Sequence, residues 1–150
     1  MLFKDFDICS EHTVVDIGCG DGGAANFCAR QNAKMIISDV DAEKVSALKK
    51  ELESLSENSV TAYVSNSDPL PMDDEIADRT IALEVLEHVN NPAAVMSEIV
   101  RVTKPDGKFL LSVPSESSEE LQRGIAPRNY FKHPNHIHTF SETEFVDLLK

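Results

Sequence analysis

The feature that most constrains this fold is a β-branched run that stops at a cluster of glycines. The run Thr13–Ile17 predicts a short buried strand, and Gly18-Cys19-Gly20-Asp21-Gly22-Gly23 follows it directly. Glycine lets the backbone of a tight turn pass close to a ligand, and residues 23–32 predict a helix after it. Such a strand–turn–helix unit directs backbone amides and a helix N-terminus toward one point, where a polar or charged ligand can bind.

Short apolar runs alternate with amphipathic segments along the rest of the chain. Asp41 is positioned to cap one helix, and Pro92 opens another, which Lys104-Pro105-Asp106-Gly107 ends. Strands joined by helices imply parallel crossovers, so we expect a single α/β domain over residues 1–150. Its core would be a doubly wound, mostly parallel sheet with helices on both faces. The further predicted strands lie at 34–38, 60–64, 81–83 and 109–113.

The C-terminal part of the chain lacks the regular pattern of the first two thirds. Residues 115–139 show no clear period, which predicts a long loop or lid with at most one irregular helix. Ser141, with Glu144 three residues later, predicts a capping box and a helix that runs to Lys150. Because the chain stops within that helix, we expect a C-terminally truncated domain. The predicted loop contains His133, His136 and His138.

Charge and cysteine content exclude several classes of protein. The 150 residues include 26 acidic and 14 basic side chains, for a net charge of −12. Such a surface repels phosphate backbones, so a nucleic-acid partner is disfavoured. The chain lacks an apolar stretch long enough for a membrane span, and Met1–Ser10 lacks a signal-peptide layout. Three cysteines without a CxxC pair indicate reduced thiols, so we expect a cytoplasmic protein.

An acidic residue follows the second predicted strand. Asp39 lies 19 residues after Gly20, where a carboxylate can accept hydrogen bonds from both hydroxyls of a ribose. A nucleoside-containing cofactor is therefore expected. Two cofactor classes fit the turn: Gly18, Gly20 and Gly23 satisfy the GxGxxG pattern of dinucleotide sites, whereas Gly18, Gly20 and Gly22 satisfy the GxGxG pattern of S-adenosylmethionine sites.

The carboxylate of Asp16, two residues before Gly18, suits a cofactor that carries an amine and a sulfonium better than one that carries a pyrophosphate. Five segments, from the glycine turn onward, occur in the order of the motifs of class I S-adenosylmethionine-dependent methyltransferases. The chain resembles that family, and in particular its type 11 and ubiquinone-biosynthesis O-methyltransferase members. The segments are Val14-Val15-Asp16-Ile17-Gly18-Cys19-Gly20-Asp21-Gly22, Leu70-Pro71-Met72-Asp73-Asp74, Leu83-Glu84-Val85-Leu86-Glu87-His88-Val89, Arg101-Val102-Thr103-Lys104-Pro105-Asp106-Gly107-Lys108 and His138-Thr139-Phe140-Ser141.

The resemblance implies a Rossmann-like methyltransferase fold that lacks its last two strands, with S-adenosylmethionine as cofactor. Asn66 departs from the acid that the family usually has near the adenine amine, and Asp68 could replace that acid. The implied cofactor residues are Asp16, Gly18, Cys19 and Gly20 in the turn at the methionine end, Asp39 at the ribose, Val40 at the adenine, Asn66 and Ser67 near the adenine amine, and Glu84 beside the transferable methyl group.

Acidic residues and histidines form a second candidate constellation. Glu84, Glu87 and His88 would share one face if a helix started at Glu84. Glu84, Glu87, His88 and His138 are then candidate ligands for Mg²⁺ or another divalent metal, and Glu84, His88 and His138 are candidate catalytic residues. The pattern resembles ubiquinone-biosynthesis O-methyltransferases and metal-dependent small-RNA 2′-O-methyltransferases, in which a metal would orient the acceptor hydroxyl. A histidine base without metal fits equally well.

The sequence therefore predicts a methyltransferase that acts on a small-molecule acceptor, with a hydroxyl oxygen favoured. One alternative is a non-catalytic S-adenosylmethionine-binding regulatory or partner module. A metal-dependent RNA 2′-O-methyltransferase, which the acidic charge disfavours, and an NAD-binding domain are the others. Without the family's last two strands, the fifth strand would be an exposed edge that a homo-oligomer could cover.

Overall fold

The computed structural model describes residues 4–150, so the first three residues of the Met1–Ser10 segment lie outside it. The strands are β1 (Thr13–Ile17), β2 (Lys34–Asp39), β3 (Val60–Val64), β4 (Ala77–Leu83) and β5 (Thr103–Ser112), and the helices are α1 (Gly23–Arg30), α2 (Ala42–Leu55), α3 (Pro92–Val102), α4 (Glu116–Gln122) and α5 (Glu142–Leu148). Within the described residues, a helix follows each of β1, β2 and β4, whereas a helix-free loop joins β3 to β4, and two further helices follow β5.

The five strands described here form one parallel sheet in the order β3-β2-β1-β4-β5. This arrangement confirms the doubly wound α/β fold. β1 pairs with β2 on one side and with β4 on the other, so the winding direction reverses between β1 and β4. Open α/β sheets bind ligands beyond the carboxyl ends of the strands at such a reversal. β5 is one edge of the described sheet, as expected.

Helices cover both faces of the sheet because successive strand residues point in opposite directions. Val14 of β1 belongs to one apolar cluster, which Leu48 and Leu52 of α2 complete. Val15 belongs to a second cluster on the other face, together with Ile99 of α3. None of the helices in residues 4–150 combines the length and apolar composition that a membrane crossing requires.

The predicted helix starts are confirmed. The Asp41 carboxylate accepts hydrogen bonds from the amides of Glu43 and Lys44 at the start of α2. Pro92 lies in the first turn of α3. Ser141 and Glu144 form both halves of the predicted capping box of α5, and that helix ends at Leu148 rather than at Lys150.

β4 and β5 begin earlier than predicted. β4 starts at Ala77 rather than at residue 81, and its polar first residues are paired: Arg79 is buried in an ion pair with Asp7 at 2.7 Å. β5 already starts at Thr103, which pairs with Ala77, and Lys108 next pairs with Arg79. The four residues between them therefore bulge out of the ladder, so the predicted break at 104–107 exists as an irregularity within the strand.

Two further boundaries differ from the prediction. α1 ends at Arg30 rather than at residue 32, because Asn32 takes a left-handed conformation with φ 59°. The predicted loop at 115–139 contains α4, a regular two-turn helix, and a series of turns. An isolated bridge between Ser115 and Phe140 closes the base of this segment, which we call the flap (residues 115–140).

Gly22, at the start of α1, lies so close to α2 that a side chain would not fit there. Gly22 has φ 84°, and a Cβ atom placed on it would overlap the side chain of Leu48, whereas a Cβ on Gly23 would meet nothing within 4 Å. We expect Gly22→Ala to lower the free energy of unfolding by about 2 kcal/mol or more. Gly23→Ala is the matched control and should leave it unchanged or slightly higher. Equal urea midpoints for the two variants would contradict this packing constraint.

Candidate active site

A cavity of about 580 Å³ opens beyond the carboxyl ends of β1, β2 and β4. Its position is the one that the reversal of strand order predicts. Loops that follow these strands and β3 form most of the wall, and the flap contributes His133 and Pro134. The lining residues are Gly18, Gly20, Asp39, Val40, Ser65, Asn66, Ser67, Asp68, Glu84, Val85, His88, Val89, Asn90, Asn91, Val95, His133 and Pro134.

Asp39 ties the glycine turn to the end of β2. One carboxylate oxygen accepts a hydrogen bond from the Gly20 amide at 2.9 Å, and the other accepts from the Asp41 amide at 2.9 Å. The amide of Cys19 donates to the carbonyl of Ser38 and continues the β1–β2 ladder into the turn. Asp39 therefore lines the cavity with both oxygens held in place, and Asp41, not Asp39, caps α2.

Gly18 allows the turn after β1 to approach the turn after β4. It has φ 66°, and a Cβ atom placed on it would lie 2.5 Å from a methyl carbon of Val85. Val85 lines the same cavity. The absence of a side chain at Gly18 thus brings these two parts of the wall together.

Two residues predicted to bind cofactor lie behind the cavity wall. Asp16 and Cys19 are both buried and are not among the lining residues. Burial raises the pKa of Asp16 to about 7; the charge of Asp39 adds to the rise, and the amide of Ala25 opposes it. Burial likewise raises the pKa of the Cys19 thiol to about 12, so this thiol is not a ready nucleophile.

The loops after β2 and β3 form another part of the cavity wall. Val40 lies on the rim with 70% of its surface exposed. Asn66 and Ser67 line the wall, and Ser67 is held in a left-handed conformation with φ 68°. Asp68, the residue that could replace the acid missing at Asn66, lines the same wall.

The helix predicted to start at Glu84 does not form. Glu84 has φ 56°, and its amide donates to the carbonyl of Ser112, so it extends the β4–β5 ladder by one residue. Its carboxylate accepts a hydrogen bond from the Ser112 hydroxyl at 2.6 Å. Glu84 lines the cavity, but the expected shared helical face of Glu84, Glu87 and His88 is wrong.

Glu87, His88 and His136 come together in the turn after β4. They offer one ligand atom each, and these atoms lie within 4.8 Å of one another. Glu87 is 1% exposed, and neither of its carboxylate oxygens has a hydrogen-bond partner. Burial raises the pKa of Glu87 to about 7, and the charges of Glu84 and Glu119 add to the rise. A buried, unpaired carboxylate beside two imidazoles is a suitable set of donors for a divalent cation.

His138 does not lie with this group. Its Nε2 atom is 2.9 Å from the carbonyl oxygen of Val89, and it does not line the cavity. The predicted ligand set of Glu84, Glu87, His88 and His138 is thus divided: among the described residues, Glu87 and His88 are joined by His136, while Glu84 and His138 lie outside the group.

Sequence reasoning missed one residue of this cluster entirely. Glu119 of α4 is 1% exposed and contacts His136. The segment around it, Glu116-Ser117-Ser118-Glu119-Glu120, resembles an ordinary solvated helix face, so nothing in the sequence signalled its burial. His136 was one of three histidines in the predicted loop, but the sequence pattern did not favour it over His138 as a ligand.

Comparison with known proteins identifies the family. A family model described as a methyltransferase domain matches residues 6–150. The chain belongs to this methyltransferase-domain family. A probable S-adenosylmethionine-dependent methyltransferase of Mycolicibacterium smegmatis is 28% identical over 95% of this chain and 51% of its own length. A ubiquinone biosynthesis O-methyltransferase of Alkalilimnicola ehrlichii is 30% identical over 78% of this chain and 47% of its own.

Solved structures agree with this assignment at the level of the fold. A SAM-dependent methyltransferase from Aquifex aeolicus superimposes with a TM-score of 0.73 at 21% identity, covering 99% of this chain and 74% of that one. The chain spans about half the length of the two curated relatives described above. The predicted class I methyltransferase resemblance and fold are confirmed.

Asp16 gives this methyltransferase-domain chain a specific pH dependence of stability. The unfolded side chain releases its proton near pH 4, whereas the folded one holds it to about pH 7. Ionisation in the unfolded state therefore favours unfolding progressively across that window, by up to about 1.4 kcal/mol per pH unit. The side chain of Asp16→Asn cannot ionise. The free energy of unfolding of this variant, relative to that of the wild type, should therefore rise from pH 4 to pH 7 and stay constant above pH 7.

Urea denaturation at several pH values across that window measures this difference. Asp21→Asn is the control, because the Asp21 side chain is 88% exposed in the same turn. It should follow the wild type. Parallel pH profiles for Asp16→Asn and the wild type would contradict a perturbed Asp16.

Proposed function

We propose that this chain binds S-adenosylmethionine in the cavity and transfers its methyl group to a hydroxyl oxygen of a small-molecule acceptor. The observation that carries the proposal is the continuity of the cavity. Gly18, Gly20 and Asp39 line the same cavity as Glu84 and His88. A nucleoside cofactor and an acceptor could therefore meet within one cavity, which supplies the proximity that methyl transfer needs.

The wall of the cavity fits the cofactor at three points. The fixed carboxylate of Asp39 keeps lone pairs for two ribose hydroxyls, and Val40 on the rim offers an apolar surface to the adenine. Asn66 can donate or accept near the adenine amine, and the Asp68 carboxylate can accept from it. Gly18 and Gly20 leave room for the methionine portion. Asp16 is buried behind this turn.

His88 is the best-placed general base. Its Nδ1 atom lies 3.1 Å from the carbonyl oxygen of Pro134, which fixes the proton on Nδ1 and leaves the Nε2 lone pair free. Nε2 lies 3.7 Å from a carboxylate oxygen of Glu87, which can stabilise the imidazolium once a proton arrives. This arrangement is suited to an acceptor that loses a proton, such as a hydroxyl.

S-adenosylmethionine supplies an activated methyl group on a sulfonium, and its transfer to oxygen leaves S-adenosylhomocysteine. Nε2 of His88 would accept the hydroxyl proton as the acceptor oxygen takes the methyl group. Glu84, held by Ser112, lies at the wall beside this point. The ubiquinone biosynthesis O-methyltransferase among the relatives supports oxygen as the methylated atom.

A divalent cation is a second element of the proposal. The unpaired carboxylate of Glu87 and the imidazoles of His88 and His136 fit Mg²⁺, Mn²⁺ or Zn²⁺ as a mixed oxygen and nitrogen set. Such a cation would lower the pKa of a bound hydroxyl. Glu87 and His88 would then act as ligands, and His88 would not be free to take the proton.

Methyl transfer from radiolabelled cofactor to a panel of phenols and catechols tests this function. We expect His88→Gln to lower kcat by about 10²-fold or more, because the proton acceptor is lost, while cofactor affinity stays within about twofold. His12→Gln is the matched control and should retain wild-type rates, because His12 precedes the amino end of β1 and does not line the cavity.

Chelation separates the two roles of His88. A rate that falls in EDTA and recovers with Mg²⁺ or Mn²⁺ supports the cation, and an unchanged rate supports His88 acting alone. If labelled cofactor binds but no acceptor is methylated, the chain functions as a binding module and the catalytic proposal fails.

A further inference from the structure

A carboxylate from the flap reaches the cluster around Glu87. Glu119 of α4 is 1% exposed, and its Oε1 atom lies 3.1 Å from Nδ1 of His136 and 3.2 Å from the hydroxyl oxygen of Tyr130. Its other oxygen is buried without a hydrogen-bond partner. A charged group buried this completely in a short surface helix calls for a role beyond packing.

The contact determines the protonation of the His136 ring. A carboxylate or carbonyl oxygen can only accept, so the atom that faces it must be the one that carries the proton. Nδ1 of His136 is thereby the N–H, and Nε2 keeps its lone pair. His88 is held in the same way through Nδ1 and the carbonyl oxygen of Pro134. Two imidazoles whose ring centroids are 4.8 Å apart are thus fixed in the same tautomer.

We propose that Glu119 is a positioning residue that fixes His136 in the Nδ1–H tautomer, with Nε2 free to act as a ligand. The proposal rests on the proposed function, since it concerns the same site. It also gives α4 a specific role, because this helix supplies the carboxylate that contacts His136. The segment of His136 is itself anchored by hydrogen bonds from Ile137 and His138 to the carbonyl oxygen of Glu87. Carboxylates that orient metal-binding histidines in this way commonly matter 10- to 100-fold for metal affinity.

Residue 120 provides a matched control. Glu120 is the next residue of α4 and is exposed, so Glu120→Met makes the same substitution in the same helix without removing a carboxylate from the cluster. Long-range ¹H–¹⁵N spectra at alkaline pH, where imidazoles are neutral, report the tautomer of His136. We expect Nδ1–H in the wild type and in Glu120→Met, and a substantial Nε2–H population in Glu119→Met. Glu119→Gln, whose amide oxygen can still accept, should restore the Nδ1–H form.

Co²⁺ titration, followed by visible absorption, is the second readout. Wild type and Glu120→Met should bind Co²⁺ alike, and Glu119→Met should bind it 10- to 100-fold more weakly. Wild-type tautomer and wild-type affinity in Glu119→Met would overturn the inference. If the wild type fails to bind Co²⁺, the cation part of the proposed function fails, and the tautomer spectra still decide the role of Glu119.

A second, milder variant tests the same contact if Glu119→Met does not fold. Glu119→Asp keeps the charge but retracts it by one methylene, which breaks the contact with Nδ1. It should shift the tautomer in the same direction as Glu119→Met, with Glu120→Asp as its control. A wild-type spectrum for Glu119→Asp would contradict the proposal.

Discussion

The site depends on one carboxylate that joins the ends of two neighbouring strands. Asp39 accepts hydrogen bonds from the amides of Gly20 and Asp41, so the turn after β1 and the start of α2 are fixed relative to β2. Hydrogen bonds from backbone amides to a charged acceptor are stronger than those between neutral groups. The same carboxylate faces the cavity. A cofactor that binds it therefore meets a group already immobilised by the protein, and little ordering is required on binding.

The cluster around Glu87 and His88 contains buried carboxylates and is organised differently. Glu87 and Glu119 are both 1% exposed and lie near two histidines. Three of their four carboxylate oxygens lack a hydrogen-bond partner. Burial without partners is costly, and structures keep such groups where function requires them. One acid follows β4 and the other belongs to the flap, so residues from both segments build the cluster. The glycine turn with Asp39 and the cluster around Glu87 thus come from separate parts of the chain.

Local sequence signals predicted most of the part of the site around Asp39 and little of the part around Glu87. The glycine turn, Asp39 and the cap at Asp41 were predictable because each depends on residues close in sequence. The helix at Glu84 was wrong because an i, i+3, i+4 pattern presupposes helical backbone, whereas pairing with Ser112 extends the sheet to Glu84. The early start of β4 was missed because Arg79 is neutralised by Asp7, 72 residues away. Glu119 could not be found, because its buried carboxylate contacts Tyr130 and His136, which lie 11 and 17 residues further along the chain.

The most direct test of the account is thermal unfolding of the 150-residue chain, alone and with S-adenosylmethionine, S-adenosylhomocysteine or NAD. A ligand at a hundredfold its Kd adds about 2.7 kcal/mol to the free energy of unfolding. For a domain of this size, that corresponds to a rise in Tm of roughly 5–11 °C. We expect this rise with both sulfur nucleosides and none with NAD. Cooperative unfolding with no rise for either sulfur nucleoside would contradict the proposed cofactor site.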